Sequence, residues 1–221
     1  MEIDREELNM EDYTFDCEDD VSSDAVSPLA SLLMLKKFQE KIIQVRYETF
    51  QKDVDYSKPS IFLAGPTVRS NQPHLISWRL EAIEYFKNRG FHGNLIIPEF
   101  FDKIESHRHK YDLPLWEFES LKKCDVIMFW IPRTRELIGL TTNHELGYWM
   151  GREREKVVYG RPHDAYRCAY LDTMWAEDYK DRFGQNYGAP IHSTLEQTVQ
   201  ASIGKVCSSI IEKRKTNQRN S

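Results

Sequence analysis

Glu145 lies inside an otherwise apolar, glycine-flanked stretch, "GLTTNHELGYWMG", residues 139–151. A carboxylate in such surroundings is costly unless it is paired or put to use. Helical periodicity predicts a helix over 142–153 with Glu145 in its first turn. Free backbone N–H groups and the helix dipole favour the ionised form there. A carboxylate that is charged and partly desolvated can act as a nucleophile. The plainer alternative is a helix-capping acid. Glu117 is the second carboxylate of interest, on a helix predicted over 112–123. Leu121 and Cys124 follow it at four and seven residues, so all three share one apolar face. The alternative for Glu117 is a salt-bridged surface acid. Two carboxylates at one pocket are the arrangement used to cleave glycosidic bonds, one as nucleophile and one managing the proton.

The elements that must position these groups are legible as alternating short apolar runs and amphipathic stretches. Strands are predicted at 60–65, 94–98, 125–132, 156–160 and 167–172. Helices are predicted at 74–89, 112–123, 142–153 and from about 193. Ile76, Leu80, Ile83 and Phe86 form the stripe of the first of these helices. Leu195, Val199, Val206 and Ile210 form that of the last, with Ser193 and Glu196 as its capping box. Strands alternating with helices imply an α/β, doubly wound parallel sheet. Five strands suggest the flavodoxin-like arrangement. Ligands of such sheets bind beyond the carboxyl ends of the strands. That edge holds Gly65, Pro66, Thr67, Arg69 and Ser70 after the first strand, Pro98, Glu99 and Phe101 after the second, Arg133 to Asn143 after the third, and Arg161 to Asp164 after the fourth. Asp125 opens the third strand and falls at the opposite edge, as a structural residue. Gly139 is expected to give its turn flexibility, and Gly147 to let its helix approach the sheet.

The net charge of −5 hides an asymmetry. Residues 1–24 hold eleven Asp and Glu against one Arg, which leaves the remainder near +5. This stretch reads as a disordered acidic tail. Residues 25–58 read as an N-terminal helix and linker, with Leu35, Phe38, Ile42 and Val45 as its stripe. The helix either packs on its own domain or serves as an oligomerisation arm. Residues 59–213 form the α/β domain and 214–221 a flexible tail. No apolar run approaches the roughly 20 residues of a membrane span, and the acidic start is unlike a targeting segment. The four cysteines lack metal or redox spacing, which suits reduced thiols in a cytoplasmic protein. His107 and His109 read as loop residues rather than metal ligands. Phosphate-loop, dinucleotide and zinc-protease motifs are absent. So is a basic patch interleaved with aromatics, which argues against sequence-specific nucleic-acid binding.

"IFLAGP", "WEFESLKKCDVIMFWIP" and "GLTTNHELG", in this order and spacing, resemble the nucleoside 2-deoxyribosyltransferase family over about residues 60–175. "GRPHDAYRCAYLD" resembles its variant branch of phage and bacterial relatives. The resemblance implies a flavodoxin-like fold, a small-molecule nucleoside or nucleotide partner, and no cofactor or metal. It implies a glutamate nucleophile at Glu145 in "ELG" and a substrate-handling acid at Glu117. Gly65, Pro66, Thr67, Arg69, Glu99, Asn143 and Tyr148 are the associated candidate substrate-binding residues, and a homo-oligomer is expected. The family's further aspartate, six residues before the nucleophile, falls on Gly139. Glu117 or Glu99 then takes over its work, or the reaction has changed. The open readings are deoxyribosyl transfer or hydrolysis at an N-glycosidic bond, NAD glycohydrolysis, and a non-catalytic nucleotide sensor or sponge. Arg69, Ser70 and Arg79 are either phosphate-binding or engaged in surface salt bridges.

Overall fold

The computed structural model describes residues 43–46, 54–69, 71–72, 74–99, 112–184 and 188–219. Four strands fall where the apolar runs predict them: β2 (Ser60–Ala64), β3 (Asn94–Ile97), β4 (Val126–Trp130) and β5 (Val157–Gly160). A short strand β1 (Ile43–Arg46) pairs along the outer edge of β3. All pairings are parallel, in the order β1-β3-β2-β4-β5. Every residue of β2 to β5 is buried, as expected of strands covered on both faces.

Among the described residues the α-helices are α1 (Trp78–Asn88), α2 (Asp112–Lys123), α3 (Leu140–Glu153), α4 (Ala169–Phe183) and α5 (Leu195–Arg219). Alternation along the strands divides the core. Ile61, Leu63, Leu95, Val126, Met128 and Val158 face α1 and α5, meeting Ala82, Ile83, Phe86, Val199 and Val206. Phe62, Ala64, Ile96, Ile127, Phe129 and Tyr159 face α2, α3 and α4, meeting Leu121, Leu146, Trp149 and Trp175. Among the described residues, no helix is long and apolar enough to cross a membrane.

Several expectations need correction. The strand expected over 167–172 is instead the entry to α4. The apolar residues of that run serve a helix: Leu171 and Trp175, four apart, are both buried. The edge of β5 that this strand would have covered carries one parallel bridge, between Gly160 and His192. His192 N–H donates to Tyr159 O and Arg161 N–H donates to His192 O. The predicted N-terminal helix lies outside the described residues except at 43–46, which are strand. In α1 only half of the expected stripe is buried. Ile76 is 83% exposed and Leu80 44%, whereas the inner face is Trp78, Arg79, Ala82, Ile83 and Phe86.

The cap of α5 also shifts by one residue. Thr194 Oγ1 accepts the Gln197 N–H, while Glu196 pairs with Arg89. The helix then runs to Arg219, past the expected boundary at 213. Asp125 is at the edge remote from the carboxyl ends, as expected. It accepts bonds from Ser60 N and Ser60 Oγ, each at 2.8 Å, and so ties the start of β2 to that of β4. Cys124, Cys168 and Cys207 are buried. Cys17, Ser70, Phe101, His107, His109 and the acidic tail lie outside the described residues.

Candidate active site

Two helices on the same face of the sheet each present one stripe to a shared cleft. From α2 come Pro114, Glu117, Phe118 and Leu121; from α3 come Thr141, His144, Glu145, Tyr148 and Trp149. The spacings of three, four and seven residues put each set on one side of its helix. The cleft has a volume of about 360 Å³ and a mainly apolar wall. Phe118 packs edge-on to Tyr148 at 5.9 Å, and Tyr148 packs edge-on to Trp149 at 5.1 Å. Tyr148 OH accepts a bond from Arg152 Nη1 at 2.8 Å.

Glu117 and Glu145 are the carboxylates in this wall, each half-buried. Burial pushes both up to about 7. At Glu117 the charge of Glu145 adds to the rise, and at both the Arg79 guanidinium opposes it. The expected electrostatics of Glu145 are therefore corrected. It is the sixth residue of α3, and the first turn holds no acid. The dipole effect fades within the first turn, so desolvation decides the direction.

The α3 entry explains the missing aspartate. Gly139 precedes the helix with φ +61°, in the left-handed region, and gives no side-chain cap. A Cβ there would stand 2.8 Å from Pro66 Cγ and 2.9 Å from Pro66 Cβ. Gly139 thus allows both a strained dihedral and a close approach by the β2 loop. Gly147, by contrast, faces open space and does not bring α3 close to the sheet. Gly139→Asp is accordingly expected to lower the melting temperature and to leave turnover no higher than in the parent chain. Thermal unfolding and an activity assay on the same preparation check this. A stable variant with increased turnover would show that the position still accepts the acid.

Behind the cleft, the β2 loop is gripped by α1. Arg79 is fully buried. Its Nε donates to Leu63 O at 3.0 Å and its Nη2 to Gly65 O at 2.9 Å. Its Nη1 donates to Pro66 O and Thr67 Oγ1, both at 3.3 Å, and to Glu99 Oε2 at 2.9 Å. Ser77 Oγ also donates to Glu99, and Trp78 Nε1 donates to Pro66 O at 3.0 Å. Gly65 has φ +149°, and a Cβ there would fall 2.2 Å from Trp130 O.

The sequence candidates separate into groups. Glu117, Glu145 and Tyr148 share the cleft. Gly65, Pro66, Thr67 and Glu99 belong to the Arg79 network. Arg69 is exposed, and its backbone N–H donates to Gln72 Oε1. Asn143 is turned toward Arg133, whose Nη2 donates to its side-chain oxygen. Sequence reasoning did not single out Phe118, Thr141 or His144. The four-residue step from Pro114 to Phe118 and from Thr141 to Glu145 could have found the first two. It left Arg79 as either a phosphate-binding group or part of a surface salt bridge, although Arg79, Ala82, Ile83 and Phe86 have the spacing of one inner face.

Residues 58–163, just under half of the 221-residue chain, match the family model described as nucleoside 2-deoxyribosyltransferase like. The segment that builds β2 to β5 and carries both cleft carboxylates is thus similar to the nucleoside 2-deoxyribosyltransferase-like family. No curated protein matches the chain.

Proposed function

We propose that this protein cleaves the N-glycosidic bond of a nucleoside or nucleotide, with Glu145 as nucleophile and Glu117 as proton manager. The observation that carries the reading is the meeting of two half-buried carboxyls, one from each of two helices, in one apolar cleft. The family match supplies the bond class, since it points to N-glycosidic chemistry on nucleosides. A Glu145 oxygen attacks C1′ of the sugar as the C1′–N bond breaks. The bond's electron pair goes to the base nitrogen, which takes the proton from Glu117. A glycosyl ester on Glu145 remains. Water or a second base then attacks C1′, Glu117 accepts the proton of the attacker, and Glu145 leaves as a carboxylate. The aromatic groups Phe118 and Tyr148 suit a planar base by stacking.

Gly139 favours a second reading, a nucleotide-binding sensor or sponge that has lost turnover. The position lacks an acid and is packed so that a side chain fits poorly. One experiment separates the readings. Purified full chain is incubated with pooled nucleosides, nucleotides and NAD, and free base is sought by mass spectrometry, with a thermal-shift measurement on the same pool. Release of a base from a nucleoside or nucleotide supports the first reading, and its release from NAD supports glycohydrolysis of that dinucleotide. A thermal shift with no base released supports the sensor. Neither signal from any member of the pool would overturn all three.

A further inference from the structure

We propose that Arg79 is a positioning residue for the paired carboxylates, its buried guanidinium locking the β2 loop against the start of α3 and holding one positive charge within reach of both. The lock is a chain of contacts. Arg79 donates to the carbonyl oxygens of Leu63, Gly65 and Pro66, and Trp78 adds a second bond to Pro66. The Pro66 ring in turn fills the space that a Cβ of Gly139 would need, at the residue from which α3 starts. The placement of Glu145 six residues further on therefore depends on the β2 loop staying where Arg79 holds it. Arg79 is committed to these protein acceptors and to Glu99, so it has little left to offer a substrate phosphate.

Arg79 and Glu99 form a buried pair at 2.9 Å with side chains 1% and 4% exposed. Buried pairs of this kind add little net stability compared with apolar packing. A role in the site accounts for keeping one here. Burial lowers the Arg79 affinity for its proton, while Glu99, Glu117 and Glu145 raise it. The same cation favours the ionised form of each cleft carboxyl. Without it, desolvation and mutual repulsion would act unopposed.

The inference uses the glycosidic reading only for its turnover readout. Its main test is a carbon-13 NMR titration of the glutamate carboxyls in the full chain, with Glu117 and Glu145 assigned from their glutamine variants. In Arg79→Met combined with Glu99→Gln, which leaves no charge buried alone, both midpoints should rise by at least about one pH unit. Arg79→Lys keeps the charge and should return the midpoints toward those of the parent. Having three donors in place of five, it should still lose turnover at least about tenfold through kcat. In the parent chain, the Arg79 side-chain nitrogen resonances should move with the carboxyl midpoints. This last measurement decides the electrostatic claim if the double variant does not fold. Unmoved carboxyl midpoints in a folded double variant, or Arg79 resonances flat from about pH 5 to 9, would overturn the proposal. Full turnover in Arg79→Lys would overturn the locking role. Absence of any nucleoside turnover would sink the glycosidic reading and leave the titration result standing.

Discussion

Glu145→Gln is expected to reduce turnover on the order of 10³-fold or more, above roughly 4 kcal/mol of transition-state stabilisation, while the fold survives. Glutamine keeps the shape of the side chain and removes the charge that would bond to C1′. The substitution should also stabilise the protein at alkaline pH, and the sign follows from proton linkage. Burial raises this carboxyl from 4.5 to about 7. Between those values the folded state retains a proton that the unfolded chain has lost. Its stabilising contribution is full below the unfolded value and is lost as pH rises through the folded one. Glutamine carries no such penalty, so its melting temperature should exceed the parent's above pH 7, with the difference shrinking below pH 5. A 2-fluoro-substituted nucleoside, which slows breakdown of a glycosyl ester, should add one sugar mass to the parent chain. The adduct should map to the peptide containing Glu145 and be absent from the variant. Full activity in Glu145→Gln would refute the nucleophile. Lost activity without an adduct on any substrate would reassign Glu145 as base or electrostatic stabiliser, with water attacking directly.

Much of this arrangement is legible in the sequence. The strands β2 to β5 were readable because each is a short apolar run buried on both faces. Glu145 and Glu117 were readable because a charged group on an apolar face has few structural explanations. The fifth strand was not. "RCAYLD" has the same apolar character as a strand, and Trp175, the helical partner of Leu171, lies beyond that run. Burial at Leu171 and Trp175, which decides the matter, depends on the sheet face below them. The electrostatics of Glu145 are hidden in the sequence for a related reason. Its position relative to the helix start depends on where α3 begins. Gly139, with its left-handed backbone against Pro66, sets that start two residues before the predicted one. Arg79 illustrates a limit of hydrophobic patterning: an arginine on an inner helix face looks like a break in the stripe. Here the carbonyls at and just after the end of β2, 13–16 residues earlier in sequence, supply partners for it.

The two raised carboxyls make Glu117 the residue whose loss should reshape the pH dependence. With both groups near 7 and one repelling the other, the pair is expected to hold one shared proton around neutrality, and its titration steps belong to the pair. That singly protonated state is the one the proposed chemistry needs: one carboxylate to attack and one acid to protonate the departing base. Turnover should therefore be bell-shaped in pH, falling on the acid side as both groups are protonated and on the alkaline side as both ionise. Glu117→Ala should lose about 10²- to 10⁴-fold in kcat for substrates with poor leaving groups. A substrate whose base leaves without protonation should lose far less. In Glu117→Gln the alkaline limb should disappear, because no acid remains to be ionised, while the acid limb due to Glu145 persists. Neither change should unfold the chain, since removing a half-buried charge relieves repulsion. The decisive measurement is kcat against pH for the parent and both variants, on one activated and one ordinary nucleoside. A loss under about tenfold, 1.4 kcal/mol, with the alkaline limb intact, would return Glu117 to the surface of α2 and leave the proton to another group in the cleft.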